Sequence, residues 1–311
     1  MGTRGATVGW LALAALCAAF PAFASDRAQT DEDRATKPII VTAPLTEAER
    51  RKQLRAFTRE IIRPPRKDRP IARFRFPICP KVKGLAPEDA RAIEARIREN
   101  AQRLGSGANE DPNCTPSVRV AFMAPGAGAA VSWLNEESEQ LSHLPTYQRR
   151  RVLSEKAPVR AWSKVVLRDQ LGQPLRLLEN NGRVIGGQDS PILVDQFSAS
   201  DPIHTSEITG AAILIEREAA EGFTLAQLAD YITMRTFLGT QSPDAELSPA
   251  AATILTLFRQ GDPPTGLTLY DKALVESVYK ASRQSTPRRV IATTASTAAR
   301  AEQRRSDAPG Q

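Results

Sequence analysis

Two histidines, His143 and His204, are all that the 311 residues contain, and this shortage excludes more chemistry than any other feature of the composition. A catalytic zinc takes three protein ligands, usually drawn from His, Cys, Asp and Glu. The two histidines lie far apart in sequence, and no carboxylate is spaced to complete a site with them, so no metal ligand is assigned. Nucleophilic hydrolysis is short of a base for the same reason. There is no Gly-x-Ser-x-Gly turn. The single Ser-x-x-Lys of note, Ser277 to Lys280, ends a helical stretch and reads as chance. Pro125-Gly126-Ala127-Gly128 lacks the Gly-Lys-Ser/Thr of a phosphate loop and the third Gly of a dinucleotide loop, which removes nucleotide binding. No cofactor is implied, and no catalytic residue is named. Acid-rich turns such as Asn135-Glu136-Glu137 read as solvated surface.

Cysteine is nearly as scarce. Of three, Cys17 lies inside the apolar run Val8–Phe20, which follows Arg4 and precedes Ala22-Phe23-Ala24. A positive start, a short apolar core and a small-x-small site make residues 1–24 a secretory signal, too short to span a membrane comfortably. Cys17 is not at the cleavage point, which argues against a lipoprotein. Export leaves Cys79 and Cys114, and two cysteines in an oxidising compartment most simply form one disulfide. The expected location is periplasmic or secreted.

Negative charge is the other local shortage. Residues 49–75 hold eleven Lys or Arg against three Asp or Glu, and residues 283–311 hold six Arg against two acids. An exported chain meets no nucleic acid, but Arg-rich segments suit an anionic membrane surface.

Residues 25–45 read as a flexible leader. Thr46–Arg63 reads as a basic amphipathic helix with a capping box, Thr46 and Glu49, and Pro64-Pro65 stops it, so 46–70 is helix and linker. Residues 71–282 read as one α+β domain, a small mixed sheet with several packed helices. Its predicted helices begin at Leu85-Ala86-Pro87-Glu88-Asp89, with Pro87 in the first turn, and at Ala129, Thr146, Thr224, Ser248 and Thr268. Its predicted strands are Ser117–Met123, Val159–Arg168, Ile192–Phe197 and Ala211–Glu216. Residues 283–311, rich in Ala, Thr, Ser and Arg, read as a disordered basic tail.

Ile78-Cys79-Pro80, Lys83-Gly84-Leu85, Cys114-Thr115-Pro116, Leu228-Ala229-Asp230-Tyr231 and Leu257-Phe258 resemble the pattern of a family of exported bacterial proteins, a resemblance that implies no activity. The stretch from Ala211 to Ala281 resembles the zincin half of matrixin-like metallopeptidases, in degenerate form. There a strand precedes a helix bearing His-Glu-x-x-His-x-x-Gly. Setting that last Gly on Gly239 places Ile232, Thr233 and Thr236 where the two histidines and the glutamate would stand, and Ser242 where a third histidine would. The resemblance implies a zincin-like fold with its zinc ligands and general base gone. It implies a non-catalytic, pseudo-peptidase-like module whose cleft holds an envelope peptide or polymer. Its candidate binding residues are Arg160, Trp162, His204, Asp230, Tyr231 and Arg235. The alternative is a hydrolase with unrecognised catalytic residues.

Overall fold

The computed structural model describes residues 45–62, 69–124, 128–155, 157–178, 182–185, 204–243, 250–259 and 261–307. The predicted signal, the leader and the strand at Ile192–Phe197 lie outside them. The fold is α+β.

Six strands form a mixed sheet. Helix α1 (Glu47–Ile62) leads to β1 (Arg73–Phe74) and β2 (Pro80–Lys83). Helix α2 (Pro87–Leu104) crosses to β3 (Val118–Met123), which lies parallel to β2. Helix α3 (Ala129–Glu136), a 3₁₀ turn (Ser138–Leu141) and helix α4 (Thr146–Ser154) lead to β4 (Val159–Arg168), which turns into β5 (Pro174–Leu175). A two-stranded ribbon of β6 (Leu177–Leu178) and β7 (Val184–Ile185) follows. Strand β8 (Thr205–Glu216) fills the centre of the sheet. The order is β2-β3-β8-β4-β5, with β4 antiparallel to β8 and β1 paired to the first half of β8. Short α5 (Arg217–Ala220), α6 (Leu225–Phe237), a 3₁₀ turn (Ile254–Thr256), α7 (Leu269–Lys280) and α8 (Pro287–Asp307) complete the chain.

Pro80 opens a strand at the sheet edge, where a missing N–H costs least. Gly84 ends β2 at φ +88°. A β-carbon there would lie 2.1 Å from the Phe122 carbonyl oxygen, so neither the dihedral nor the space admits a side chain. Cys79 and Cys114 are joined as a disulfide across a Cα–Cα distance of 6.1 Å. The bond clips the approaches to β2 and β3 on either side of α2, and Ser117 reinforces it, because the Cys79 amide donates to Ser117 Oγ at 2.9 Å.

The central strand reads Ala211-Ala212-Ile213-Leu214-Ile215, a continuous apolar run, because both of its faces are covered. Ala211, Ile213 and Ile215 join Val118, Val120 and Phe122 against the larger helical layer of α1, α2, α6, α7 and α8. Ala212 and Leu214 join Trp162 under α3, the first 3₁₀ turn and α4. Helix α6 stands at the centre of the larger layer, with every residue from Gln227 to Phe237 buried. Thr224 caps it through a reciprocal box with Gln227. Each large apolar side chain that α6 buries, such as Leu228 or Ile232, stabilises by about 1.5–3 kcal/mol.

Two expectations need correction. The expected disordered tail is helix α8, which buries Val290, Ile291, Thr294, Ala295, Ala298 and Ala299. These recur at helical spacing, and their small size lets α8 lie close against α1 and α7. Arg50 on α1 holds Glu302 on α8 through two hydrogen bonds of 2.9 and 2.7 Å. The expected helix at Ser248–Phe258 is, among the described residues, a single 3₁₀ turn. Thr253 caps it, and the buried Asp271 carboxylate holds it through Thr253 Oγ1 at 2.6 Å and the Ile254 amide at 2.8 Å.

Candidate functional site

A groove of about 920 Å³ runs along the outer edge of β4. Among the described residues most of that edge is free, because β5 takes up only Leu167 and Arg168. Among the described residues, no strand pairs with β4 on that side from Ala161 to Val166. Strand alternation divides the groove. Trp162 and Lys164 point to the layer of α3 and α4, and Ala161, Ser163 and Val165 point to the layer of α6. Leu144, Tyr147 and Val152 complete the first wall, while Ile62, Ile71, Leu238 and Gly239 complete the second. The C-terminal end of α6 therefore reaches the groove, at Gly239, whose φ is +59°. Tyr147, Val165 and Val184 leave apolar surface exposed around it.

Among the described residues, three buried polar atoms of the groove lining have no hydrogen-bond partner: Arg69 Nε, His143 Nε2 and Ser163 Oγ. Burial, with the Lys164 ammonium second, pushes the His143 pKa below its ordinary value and keeps the ring neutral near neutral pH. Among the described residues, no three His, Cys, Asp or Glu side chains are grouped closely enough to hold a metal ion.

Of the six residues expected to line a cleft, only Trp162 does so. Asp230 is fully buried. It accepts from Arg96 Nε at 2.9 Å, Arg96 Nη2 at 3.2 Å, Asn100 Nδ2 at 2.7 Å and the Leu267 amide at 2.9 Å. It thereby ties α6 to α2 and to the loop before α7. Arg235 is also buried and forms an ion pair with Glu155 at the end of α4, 2.9 Å away, while donating to the Tyr231 hydroxyl at 2.7 Å. Burial alone would lower the Arg235 pKa, but Tyr231 and Glu155 outweigh it and hold the pKa above the ordinary arginine value. Burial raises that of Tyr231. Arg160 is turned back onto its own backbone, donating to the carbonyls of Ala157 and Val159. Burial pushes its pKa down. His204 is buried just before β8 and is not among the groove-lining residues. None of these five residues lines the groove; Asp230 and Arg235 hold elements together, and Tyr231 braces Arg235.

The positions matched to the zincin ligands are also core. Thr233 and Thr236 donate to the helix carbonyls of Ala229 and Ile232 at 2.8 and 2.7 Å, and Ile232 is wholly buried. Ser242 lies 3.3 Å from the Tyr231 hydroxyl.

Ser163, Lys164, Tyr147 and Leu238 were not singled out from sequence. A signal for the first two was present. Strand β4 carries two polar residues in its middle, Ser163 and Lys164, whereas β8 is apolar without a break from Ala211 to Ile215. That contrast marks β4 as the strand nearer the edge. Among the described residues no helix is long and apolar enough to cross a membrane. No protein-family model, curated protein or solved structure matches the chain.

Proposed function

We propose that the protein is a non-catalytic binding module of the cell envelope, and that it holds an extended peptide along β4. The observation that carries this reading is the backbone edge of Ala161–Val166, unpaired among the described residues and set as one wall of a groove large enough for several residues. An unpaired strand edge presents N–H and C=O groups that a second strand satisfies, and the walls supply pockets for alternate side chains. Ser163 Oγ and His143 Nε2 offer two further polar partners inside.

The test is fluorescence anisotropy with labelled hexapeptides of alternating pattern, Thr-Val, Glu-Val and Lys-Val repeats, each also made with N-methyl groups on alternate backbone amides. At least one unmodified peptide binds, its N-methylated form does not, and bound peptide slows amide exchange over residues 161–166. Equal binding of both forms, or protection elsewhere, refutes strand addition. Mass spectrometry of the peptides afterwards separates this reading from a hydrolase, since a binding module returns them intact.

A second surface supports the membrane partner. Helices α1 and α8 bring the two Arg-rich segments side by side, with Lys52, Arg55, Arg59, Arg300 and Arg304 exposed. Cosedimentation with vesicles containing anionic lipid, lost in high salt, is the outcome that fits. Equal binding to neutral vesicles rules it out.

A further inference from the structure

The register of the sheet determines which backbone groups of β4 face the groove. The Glu216 amide donates to the Pro158 carbonyl, so the even-numbered residues of β4 turn their N–H and C=O toward β8. The groups of Ala161, Ser163 and Val165 then point outward. Asp169 belongs to the same odd series, and its amide donates to the Gln173 carbonyl across the turn to β5. That end of the edge is already paired antiparallel, Leu167 with Leu175. Ser163 stands in the middle of the remaining stretch, with its side chain on the α6 side. Its Oγ is buried and has no hydrogen-bond partner among the described residues. Gly239, just past the end of α6, carries no side chain there, and a β-carbon on it would lie 3.9 Å from that oxygen. The same wall holds Ile62, Ile71 and Leu238.

An aliphatic wall with one unsatisfied hydroxyl is complementary to a side chain that is itself aliphatic with one hydroxyl. A buried hydroxyl without a partner is costly, and a ligand that supplies the partner recovers that cost. We propose that the groove selects an extended peptide with threonine opposite Ser163 and apolar residues two positions before and after it. The peptide runs antiparallel to β4, as β5 does. Because Ser163 turns its N–H and C=O to the groove, the residue opposite exchanges both backbone bonds with it, and the two β-carbons stand about 4.5–5.5 Å apart. At that separation the hydroxyls reach each other, and either can donate. The threonine methyl suits the aliphatic wall, and its β-branch suits a strand. The flanking apolar residues lie opposite Ala161 and Val165, on the same face. This rests on the reading of the groove as a peptide site and adds to it the chemistry of the occupant.

The experiment uses the mature chain and two labelled peptides on a common hydrophilic tail. One is Ala-Val-Ala-Thr-Ala-Val-Ala, and the other has Val in place of the central Thr, which keeps the shape and removes the hydroxyl. Each is also made with N-methyl groups on alternate backbone amides. The Thr peptide binds about tenfold tighter than the Val peptide. In Ser163→Ala the ratio falls to about one, because the Thr peptide weakens and the Val peptide does not. Ser163 Oγ has no partner to lose among the described residues, so the variant keeps the fold, and its binding of the Val peptide reports that it does. Equal affinities for the two peptides in the unmodified chain overturn the selectivity, and they leave strand addition standing if N-methylation still abolishes binding. A preference for Thr that survives Ser163→Ala overturns the pairing with Ser163. Failure of both peptides to bind overturns the peptide site and the selectivity together.

Discussion

Asp230 was expected in a cleft and is found in the core, and substituting it separates the two roles. In Asp230→Ala four hydrogen bonds disappear at once. Their loss is not uniform. Asn100 keeps a second acceptor, Thr233 Oγ1 at 3.1 Å, and Arg96 keeps Glu99 at 2.9 Å and some solvent. The Leu267 amide keeps nothing. A buried donor without a partner costs about 1–3 kcal/mol. Breaking a largely buried ion pair by removing one member costs about 3–5 kcal/mol. Because Arg96 is partly exposed, the lower part of that range applies, and the expected loss is about 3–4 kcal/mol. Asp230→Asn keeps the shape but turns one acceptor into a donor that faces either the Leu267 amide or the Asn100 and Arg96 donors. It should cost about 2 kcal/mol. Gly266 tightens the case: a β-carbon there would lie 2.8 Å from Asp230 Oδ2, so the loop has been left without a side chain where it meets the carboxylate. The assay is equilibrium urea unfolding. With a slope of about 3 kcal/mol per molar, a loss of 3 kcal/mol moves the midpoint by about 1 M. The Asp230→Asn variant, which folds, binds the hexapeptides as the unmodified chain does. A loss below about 1 kcal/mol in both variants, or a selective loss of peptide binding in a fully stable Asn variant, refutes the structural assignment.

Reducing the Cys79–Cys114 bond, or replacing both cysteines with Ser, lowers stability by about 4 kcal/mol on the chain-entropy account of a 35-residue separation; an unchanged urea midpoint contradicts it. Deleting residues 283–311 strips the cover from α1 and α7 and lowers the thermal midpoint by about 10 °C, or leaves the chain insoluble, while an unchanged midpoint returns α8 to the status of an unattached tail. His143 carries a folded pKa below its unfolded value of 6.5, so the unfolded chain binds the proton first as pH falls. Its contribution is therefore present above about pH 6.5 and lost as pH falls from there through the folded pKa. The His143→Gln variant shows a flatter fall in stability across that window, and an NMR titration placing His143 above 6.5 reverses the sign.

The fold was most legible where one physical signal dominated. Strand β4 was read at its observed ends, because it is bounded by turn residues, and helix α2 at its C-terminal end, because it stops at Gly105, whose φ is +87°. The capping box at Thr46 and the helix starts at Thr224 and Thr268 were legible for the same local reason. Helix α8 was not, because beyond Val290 and Ile291 its buried stripe is made of Ala and Thr, which carry little hydrophobic contrast against Ser and Arg. What that composition shows as low complexity, the structure uses as close packing. Strand β2 is only four residues long and starts with Pro80, so alone it has no strand signal; its pairing with β3 creates it.

The site failed to show for a different reason. The zincin resemblance points to a cleft beside α6, and so to Asp230, Tyr231 and Arg235. They are tolerated in the core because each has a partner: Asp230 on α2, Arg235 on Glu155, and Tyr231 on Arg235 one turn along the same helix. The pairings of Asp230 with Arg96 and of Arg235 with Glu155 join residues 134 and 80 positions apart, and no spacing rule reports them. The groove, by contrast, is built from unremarkable residues. Ser163, Lys164 and Val165 gain meaning only from the sheet order, which leaves their strand with one unpaired edge. Lys164 shows how far this goes. On any strand edge a lysine discourages sheet-to-sheet association.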